Sequence, residues 1–214
     1  GRYLGMETEI ISAREAAEIM PLIDPGQFEG AMFDPIEGHL DPSGTTHAYA
    51  KAARKNGATI YTQTRVTDLH QQVDGSWRVM TEGGEIVAEH VVNAGGLWAR
   101  EVGRMVGLEL PVLAMEHMYL ITEDMPEVTA FNEVSGKEML HAVDFDGEIY
   151  VRQERKGMLM GTYEKACVPW SPPQTPWDFG QDLLPADSDR IAPSLEIGFQ
   201  HFPAFQQAGI KQII

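Results

Sequence analysis

Cysteine is all but missing from this sequence. Cys167 stands alone among 214 residues, so no internal disulfide forms, and a single thiol fits a reducing compartment. Basic residues are scarce as well: 16 Lys and Arg face 32 Asp and Glu, for a formal net charge of -16. Such a surface repels phosphate backbones and anionic lipid, which argues against nucleic acid and membrane surfaces as partners. No apolar run approaches the roughly 20 residues of a membrane span, and no signal-peptide pattern opens the chain, so a cytoplasmic protein is expected. The hydrolase, zinc-protease, redox and phosphate-loop patterns GxSxG, HExxH, CxxC and GxxxxGK[ST] are all missing. The seven histidines show no ligand-like pairing, so no metal site is expected. No two glycines are separated by one residue, so there is no GxGxxG dinucleotide loop.

What is present describes a globular chain. Apolar residues make up 43% and charged residues only 22%, enough for one substantial core or one and a half smaller ones. The chain opens without methionine at Gly1-Arg2-Tyr3 and closes on the apolar run 208–214. Both ends read as cuts, so a fragment of a longer protein is expected.

Residues 7–11 alternate as a strand. Ser12 then sits at an N-cap, with Glu15 three residues on as its capping-box partner, before Pro21 ends the helix. Residues 30–33 form a second strand. Asp41 and Pro42 start a helix with a buried stripe of Thr46, Tyr49, Ala50 and Ala53, and Asn56-Gly57 stops it. Strands at 58–61 and 64–69 follow, and a helix between strands suggests a crossover onto a parallel sheet. Residues 77–81 and 86–88, joined by a turn at 82–85, read as antiparallel strands. Beyond Pro111 come a long strand at 112–122, a loop containing Met125-Pro126 and Ser135-Gly136, and strands at 139–143, 148–153 and 157–163 with turns at 144–147 and 155–157. A Pro-rich connection at 169–176 leads to a helix over 186–202, capped by Asp187 or Ser188 and kinked or divided at Pro193. The expected fold class is α/β of mixed α+β type: a truncated α/β domain with a β-meander over 1–107, an antiparallel-sheet domain over 108–205, and the start of a return strand to the first domain over 206–214. Residues 1–35 are available to the second domain.

The chain is organised around Val91-Val92-Asn93-Ala94-Gly95-Gly96-Leu97-Trp98-Ala99, which reads as strand, small-residue corner and helix start, the helical pattern running to Val106. Paired glycines permit φ > 0 and leave no Cβ between main chain and ligand. The helix that follows would present free N–H groups suited to an anion. The alternative is a βα turn that needs glycine only for its own geometry. The wording resembles the "NAAG-x-W" segment of FAD-dependent oxidoreductases of the D-amino-acid oxidase type, in which this backbone lies against FAD.

Three later patches extend the resemblance, in the same order, toward the dimethylglycine and sarcosine dehydrogenase branch. His117-Met118-Tyr119 resembles its "H-x-Y" strand, and Tyr150-Val151-Arg152 followed by Gly161-Thr162-Tyr163 resembles its "Y-x-R then G-[ST]-Y" hairpin. The resemblance implies that His117 and Tyr150 flank the substrate amine as catalytic residues, with Tyr119 and Arg152 binding substrate. It implies FAD contacts from Val66, Asn93, Ala94, Gly95, Gly96, Trp98, Gly161 and Tyr163. Arg152 is alternatively a hairpin ion-pair residue, and Val66 and Tyr163 are alternatively core. The implied substrate is a small amino-acid-derived amine. The other implied partners are an acceptor such as an electron-transfer flavoprotein and tetrahydrofolate in a domain outside this chain, with a mitochondrial matrix location in a eukaryote. The missing GxGxxG loop would then lie N-terminal to Gly1. Rival readings are a glycine oxidase or glycerol-3-phosphate dehydrogenase type, the latter calling for more basic residues than Arg152, Arg155 and Lys156 near the hairpin, and a scaffolding subunit that kept the fold and lost the flavin.

Overall fold

The protein, seen in a computed structural model that describes residues 2–180 and 182–214, is a mixed α/β chain of antiparallel sheets and five α-helices. It divides into two compact units. The first comprises residues 1–39, 116–167 and 183–214; the second comprises 40–115 and 168–182. Against the boundary expected near residue 108, the chain changes unit at 115/116. Residues 2–39 join the unit that holds the later sheet, and the Pro-rich segment joins the earlier unit.

The first unit begins with a hairpin of β1 (Glu9–Ser12) and β2 (Gly30–Phe33) around α1 (Ala13–Ile19). The capping box is formed in full: Ser12 Oγ accepts from the Glu15 N–H, and Glu15 accepts from the Ser12 N–H. Its main sheet contains β6 (Tyr119–Thr122), β7 (Ala142–Asp144), β8 (Ile149–Glu154), β9 (Gly157–Thr162) and β10 (Ile210–Ile213) in the order β10-β6-β9-β8-β7, all antiparallel. Two further helices, α4 (Pro126–Ser135) and α5 (Ser188–His201), complete the unit.

Strand alternation assigns the two faces of this sheet. Leu120, Ile149, Val151, Met158 and Met160 join a core with Val128 of α4 and Ile191 and Leu195 of α5. Gly198 lets α5 approach closely, because a Cβ there would meet the Met160 sulfur. The opposite parity carries Tyr119, Tyr150, Arg152 and Gly161. Gln153, a polar residue on the core side, is buried with all its hydrogen-bonding capacity engaged. Its Oε1 accepts from the Met139 N–H and from Asn132, and its Nε2 donates to Asn132 and to the Arg155 carbonyl.

Several expectations for this unit are corrected. The strand drawn over 112–122 is only Tyr119–Thr122, which pairs with residues 159–161 of β9; of the earlier residues, Met115 makes an isolated antiparallel bridge to Pro169. His117 therefore lies in the extended approach to β6. The loop drawn after Met125 is α4, with Pro126 in its first turn and Gly136 at φ +68° closing it. The strand drawn over 139–143 is Ala142–Asp144. Pro193 does not divide α5, which runs unbroken from Ser188 to His201 with Asp187 as its cap. The final strand β10 pairs with β6 at the edge of this sheet.

The second unit holds α2 (Pro42–Lys55), the meander β3 (Val66–Gln71), β4 (Trp77–Thr81) and β5 (Gly84–Ala88), and α3 (Ala99–Arg104). Asp41 and Pro42 start α2 as expected, and Gly57 at φ +91° follows its end. The stripe expected to be buried is not: α2 has no buried residue, and Tyr49 is 75% exposed. A stripe is buried only where an apolar surface opposes it, and here Ala50 and Ala53 are half-buried while Thr46 and Tyr49 stay exposed. The parallel crossover is likewise corrected. All strand pairs among the described residues are antiparallel, and residues 58–61 and 91–92 are extended without a ladder partner. Leu69 and Val79 are the buried apolar side chains of the unit, so much of its order comes from polar contacts. The Pro-rich segment shows how. Proline carbonyls remain free acceptors, and Trp98 Nε1, Arg100 Nη1 and Arg104 Nη1 donate to Pro176, Pro172 and Pro173 at 2.8, 2.9 and 3.1 Å. Glu101, buried among them, accepts from the Thr175 N–H at 2.9 Å and from Arg100. Burial opposes its charge, yet the Thr175 N–H and the Arg100 guanidinium prevail and hold the carboxyl below its usual range.

Candidate active site

Two places carry the residues singled out above, one in each unit. In the second unit the corner turns more tightly than expected. Gly96–Trp98 is a 3-10 turn and α3 that follows has six residues, ending at Arg104 rather than running to Val106. A helix that short gives no N-terminal anion site. Only Gly96 has a left-handed backbone, at φ +52°. Gly95 is required by the turn itself, since a Cβ there would come within 3.2 Å of the Ala99 backbone. Asn93 also serves the turn: Nδ2 donates to the Ala99 carbonyl at 2.8 Å and Oδ1 accepts from the Gly95 N–H at 3.1 Å. Trp98 spends its indole N–H on Pro176, and Val66, at the start of β3, is half-buried. Open main chain remains at Ala94 and Gly96, both exposed, and nothing lies within 4 Å of the position a Gly96 Cβ would take. That corner fits a ligand laid against the backbone, as a flavin cofactor requires.

In the first unit the structure brings five predicted residues together. Register places Tyr119, Gly161 and Tyr150 in one row across β6, β9 and β8. The Tyr150 ring lies over Gly161 so closely that any Cβ there would overlap its Cε1, Cζ and hydroxyl. Tyr163, just past β9, is tilted against Tyr150 with ring centroids 5.6 Å apart, and His117 stacks on Tyr163 at 5.3 Å. His117 and Tyr150 thus flank one tyrosine. Arg152, two residues from Tyr150 on the same strand face, uses Nη1 for both the Glu154 carboxylate at 2.8 Å and the Gln153 carbonyl, so it has the hairpin ion pair foreseen as its alternative.

The chemistry of the rings follows from their surroundings. Burial pushes the Tyr150 phenol above its ordinary 10.0, and neighbouring Tyr163 and Tyr119 add to this. Tyr150 is therefore a neutral hydrogen-bonding group at pH 7, not a base. His141 sits edge-on to Tyr150 at 5.9 Å. Burial, His39 and Arg152 hold its imidazole below 6.5, so a second neutral ring borders the cluster.

The sequence reading missed His141 and the charged group behind His117. Glu164 is buried and accepts from Thr162 Oγ1 at 3.0 Å, with His117 Nδ1 3.8 Å from Oε2. Arg190 of α5 reaches both Glu164 and Glu116. The available signal was parity, because Glu164 continues the buried series Met158, Met160, Thr162 with a charge.

Comparison with known proteins gives the class. A family model described as "FAD dependent oxidoreductase" (DAO) matches residues 1–212, and the chain belongs to that family. Mouse mitochondrial dimethylglycine dehydrogenase is 37% identical over 213 residues, spanning 97% of this chain and 24% of that protein. Mouse mitochondrial sarcosine dehydrogenase is 30% identical, spanning 100% of the chain and 23% of the relative. Mouse mitochondrial pyruvate dehydrogenase phosphatase regulatory subunit is also 30% identical, over 99% and 24%. The chain therefore spans about a quarter of the length of these relatives. Among solved structures, L-proline dehydrogenase from P. horikoshii superposes with a TM-score of 0.75 at 24% identity, over 99% of this chain and 52% of that one, which shows the shared fold. No helix among the described residues is long and apolar enough to cross a membrane.

Proposed function

We propose that the chain is part of a flavin-dependent amine dehydrogenase that oxidises an N-methyl group of dimethylglycine or sarcosine. The observation that carries this reading is the His117–Tyr163–Tyr150 ring cluster on the sheet face opposite the helices, with Gly161 clearing space for Tyr150. The 37% identity to a dimethylglycine dehydrogenase supports it.

Hydride leaves an N-methyl carbon only when the amine nitrogen has a free lone pair, and alkylamines are mostly protonated at pH 7. His117, through a neutral imidazole, takes the ammonium proton. Tyr150, held as a phenol, hydrogen-bonds the amine and orients the methyl group. Arg152 offers donors beyond Nη1 to the substrate carboxylate, and Tyr119 borders the same row. FAD, laid against the open main chain at Ala94 and Gly96, would supply the hydride acceptor, a role no side chain fills. Loss of hydride from the methyl carbon leaves an iminium, whose hydrolysis yields formaldehyde.

The test is the whole flavin-loaded protein given dimethylglycine or sarcosine under anaerobic conditions with an artificial electron acceptor. Bleaching near 450 nm with acceptor-dependent turnover is the expected result. A yellow protein that turns over neither amine refutes the substrate. A colourless one favours a non-catalytic subunit on the same fold, the reading suggested by the 30% identity to a phosphatase regulatory subunit.

A further inference from the structure

Glu164 takes no part in the reaction just described, yet few carboxylates in the unit are so enclosed: its side chain is 4% exposed. An ionised group at that depth has to be offset by donors or opposite charge. Oε2 accepts from Thr162 Oγ1 at 3.0 Å. Oε1 faces Arg190 Nε at 3.5 Å, where both atoms are buried and neither makes a hydrogen bond of ordinary geometry among the described residues. Arg190 cannot serve Glu164 alone, because its Nη1 is bonded to Glu116 Oε2 at 2.9 Å. One guanidinium divided between two carboxylates leaves one negative charge over, and the remaining group within reach is the His117 imidazole, its Nδ1 3.8 Å from Oε2.

His117 sits just before β6, where two successive residues just past β9 reach it. Tyr163 stacks on its ring with 26° between planes, and Glu164 approaches its Nδ1 edge. The stack sets the plane of the imidazole, and the carboxylate sets which edge turns inward. Free imidazole side chains favour the Nε2–H tautomer, so a base acting through Nε2 needs something to hold the proton on Nδ1.

We infer that Glu164 is the positioning residue for His117: it accepts the Nδ1–H of the imidazole and so turns the Nε2 lone pair outward as the basic edge. The catalytic consequence rests on the amine oxidation proposed above, while the pairing itself does not. The 3.8 Å separation closes by less than an ångström of side-chain movement, or is bridged by a water. The pairing repeats the logic by which a carboxylate fixes the tautomer of a catalytic or metal-binding histidine.

The test uses the whole flavin-loaded protein labelled with 15N-histidine, with His117 assigned through the His117→Asn variant. At alkaline pH the wild type should show Nδ1 protonated and Nε2 bare. Glu164→Gln keeps an acceptor oxygen and should keep that tautomer, with kcat for the amine falling about 10-fold at unchanged KM. Removing Glu164 alone would leave the buried Arg190 Nε with no carboxylate to face, so the stronger test is Glu164→Leu combined with Arg190→Met. That pair should swing His117 to the Nε2–H tautomer and lower kcat about 100-fold while the thermal midpoint stays within a few degrees. An Nε2–H tautomer in the wild type, or an unmoved tautomer in the double variant, overturns the inference. An Nδ1–H tautomer in a wild type that oxidises neither amine upholds the pairing and overturns the proposed reaction instead.

Discussion

Gly161→Ala isolates the contact on which the aromatic face depends. Gly161 has ordinary strand backbone outside the left-handed region, so alanine meets no conformational objection. The obstacle is the Tyr150 ring, whose Cε1, Cζ and hydroxyl occupy the space of the new Cβ. To admit it, Tyr150 must swing off its strand partner or β8 and β9 must part, and overpacking of this kind costs about 1–3 kcal/mol. Alanine returns about 0.4–1 kcal/mol by stiffening the unfolded chain, leaving a net loss of about 1–2 kcal/mol. For a protein of this size that lowers the thermal midpoint by about 2–8 °C. Amine turnover should fall further than stability does, since the displaced phenol no longer faces the substrate. The decisive assay is a double-mutant cycle by urea and thermal unfolding. In a Tyr150→Ala background, Gly161→Ala should cost nothing or stabilise, giving a coupling of about 1–3 kcal/mol. Tyr119→Ala, which removes the register partner on the other side of Gly161, should give no rescue. An equal loss in all three backgrounds would refute the steric reasoning.

Tyr150→Phe keeps the ring over Gly161 and should hold stability within about 0.5 kcal/mol, while kcat/KM for the amine falls about 100-fold or more. Because the Tyr150 phenol is pushed above 10.0, any basic limb it contributes to the rate profile should lie beyond pH 10. Glu101→Gln breaks a buried ion pair and should cost about 3 kcal/mol by urea unfolding at pH 7. The folded-state carboxyl lies below its ordinary 4.5, so its contribution is present above that pH and fades as pH falls through the lowered value; the variant should lose this acid limb. His141 titrates below 6.5 when folded, so the unfolded chain binds its proton first and stability should drop as pH falls from about 6.5 toward the folded value. His141→Asn should flatten that slope in thermal scans.

The features legible in the sequence are those whose causes are local. The capping box needs only Ser12 and Glu15. The β8–β9 hairpin needs only alternation and a two-residue turn, with Arg155 at φ +58°. Helix α4 is equally local, with Pro126 at its start and Gly136 at its end, but no side-chain N-cap announces it. What could not be read depends on distant chain. Whether the Tyr49 stripe is buried depends on an opposing surface, and whether residues 58–61 make a strand depends on a neighbouring one. The Pro-rich segment joins the earlier unit because Arg100 and Arg104 bind its carbonyls across about 70 residues of sequence. On the aromatic face, the rows of side chains follow from parity once the strands are given. The Arg190 bridge does not, since only the packing of α5 brings residue 190 to residues 116 and 164.

In the first unit one variable, strand register, sets both the core and the candidate active site. β8 gives Ile149, Val151 and Gln153 to the buried face and Tyr150, Arg152 and Glu154 to the other, and a slip of one residue would exchange the two sets. Three constraints oppose that slip, and each is tied to a different neighbour. Gly157 fits against the Glu123 carbonyl and Thr122, where a Cβ would fall within 2.6 Å of both. Gly161 fits under Tyr150. Gln153, with its four side-chain hydrogen bonds, would leave the interior and abandon the Met139 N–H and Asn132. The cost of stranding those buried groups, about 1–3 kcal/mol each, adds to the loss of apolar burial, so the slipped state lies well above the native one. The arrangement that places His117, Tyr163 and Tyr150 together is therefore enforced by the same contacts that hold the core, and needs no binding partner to select it.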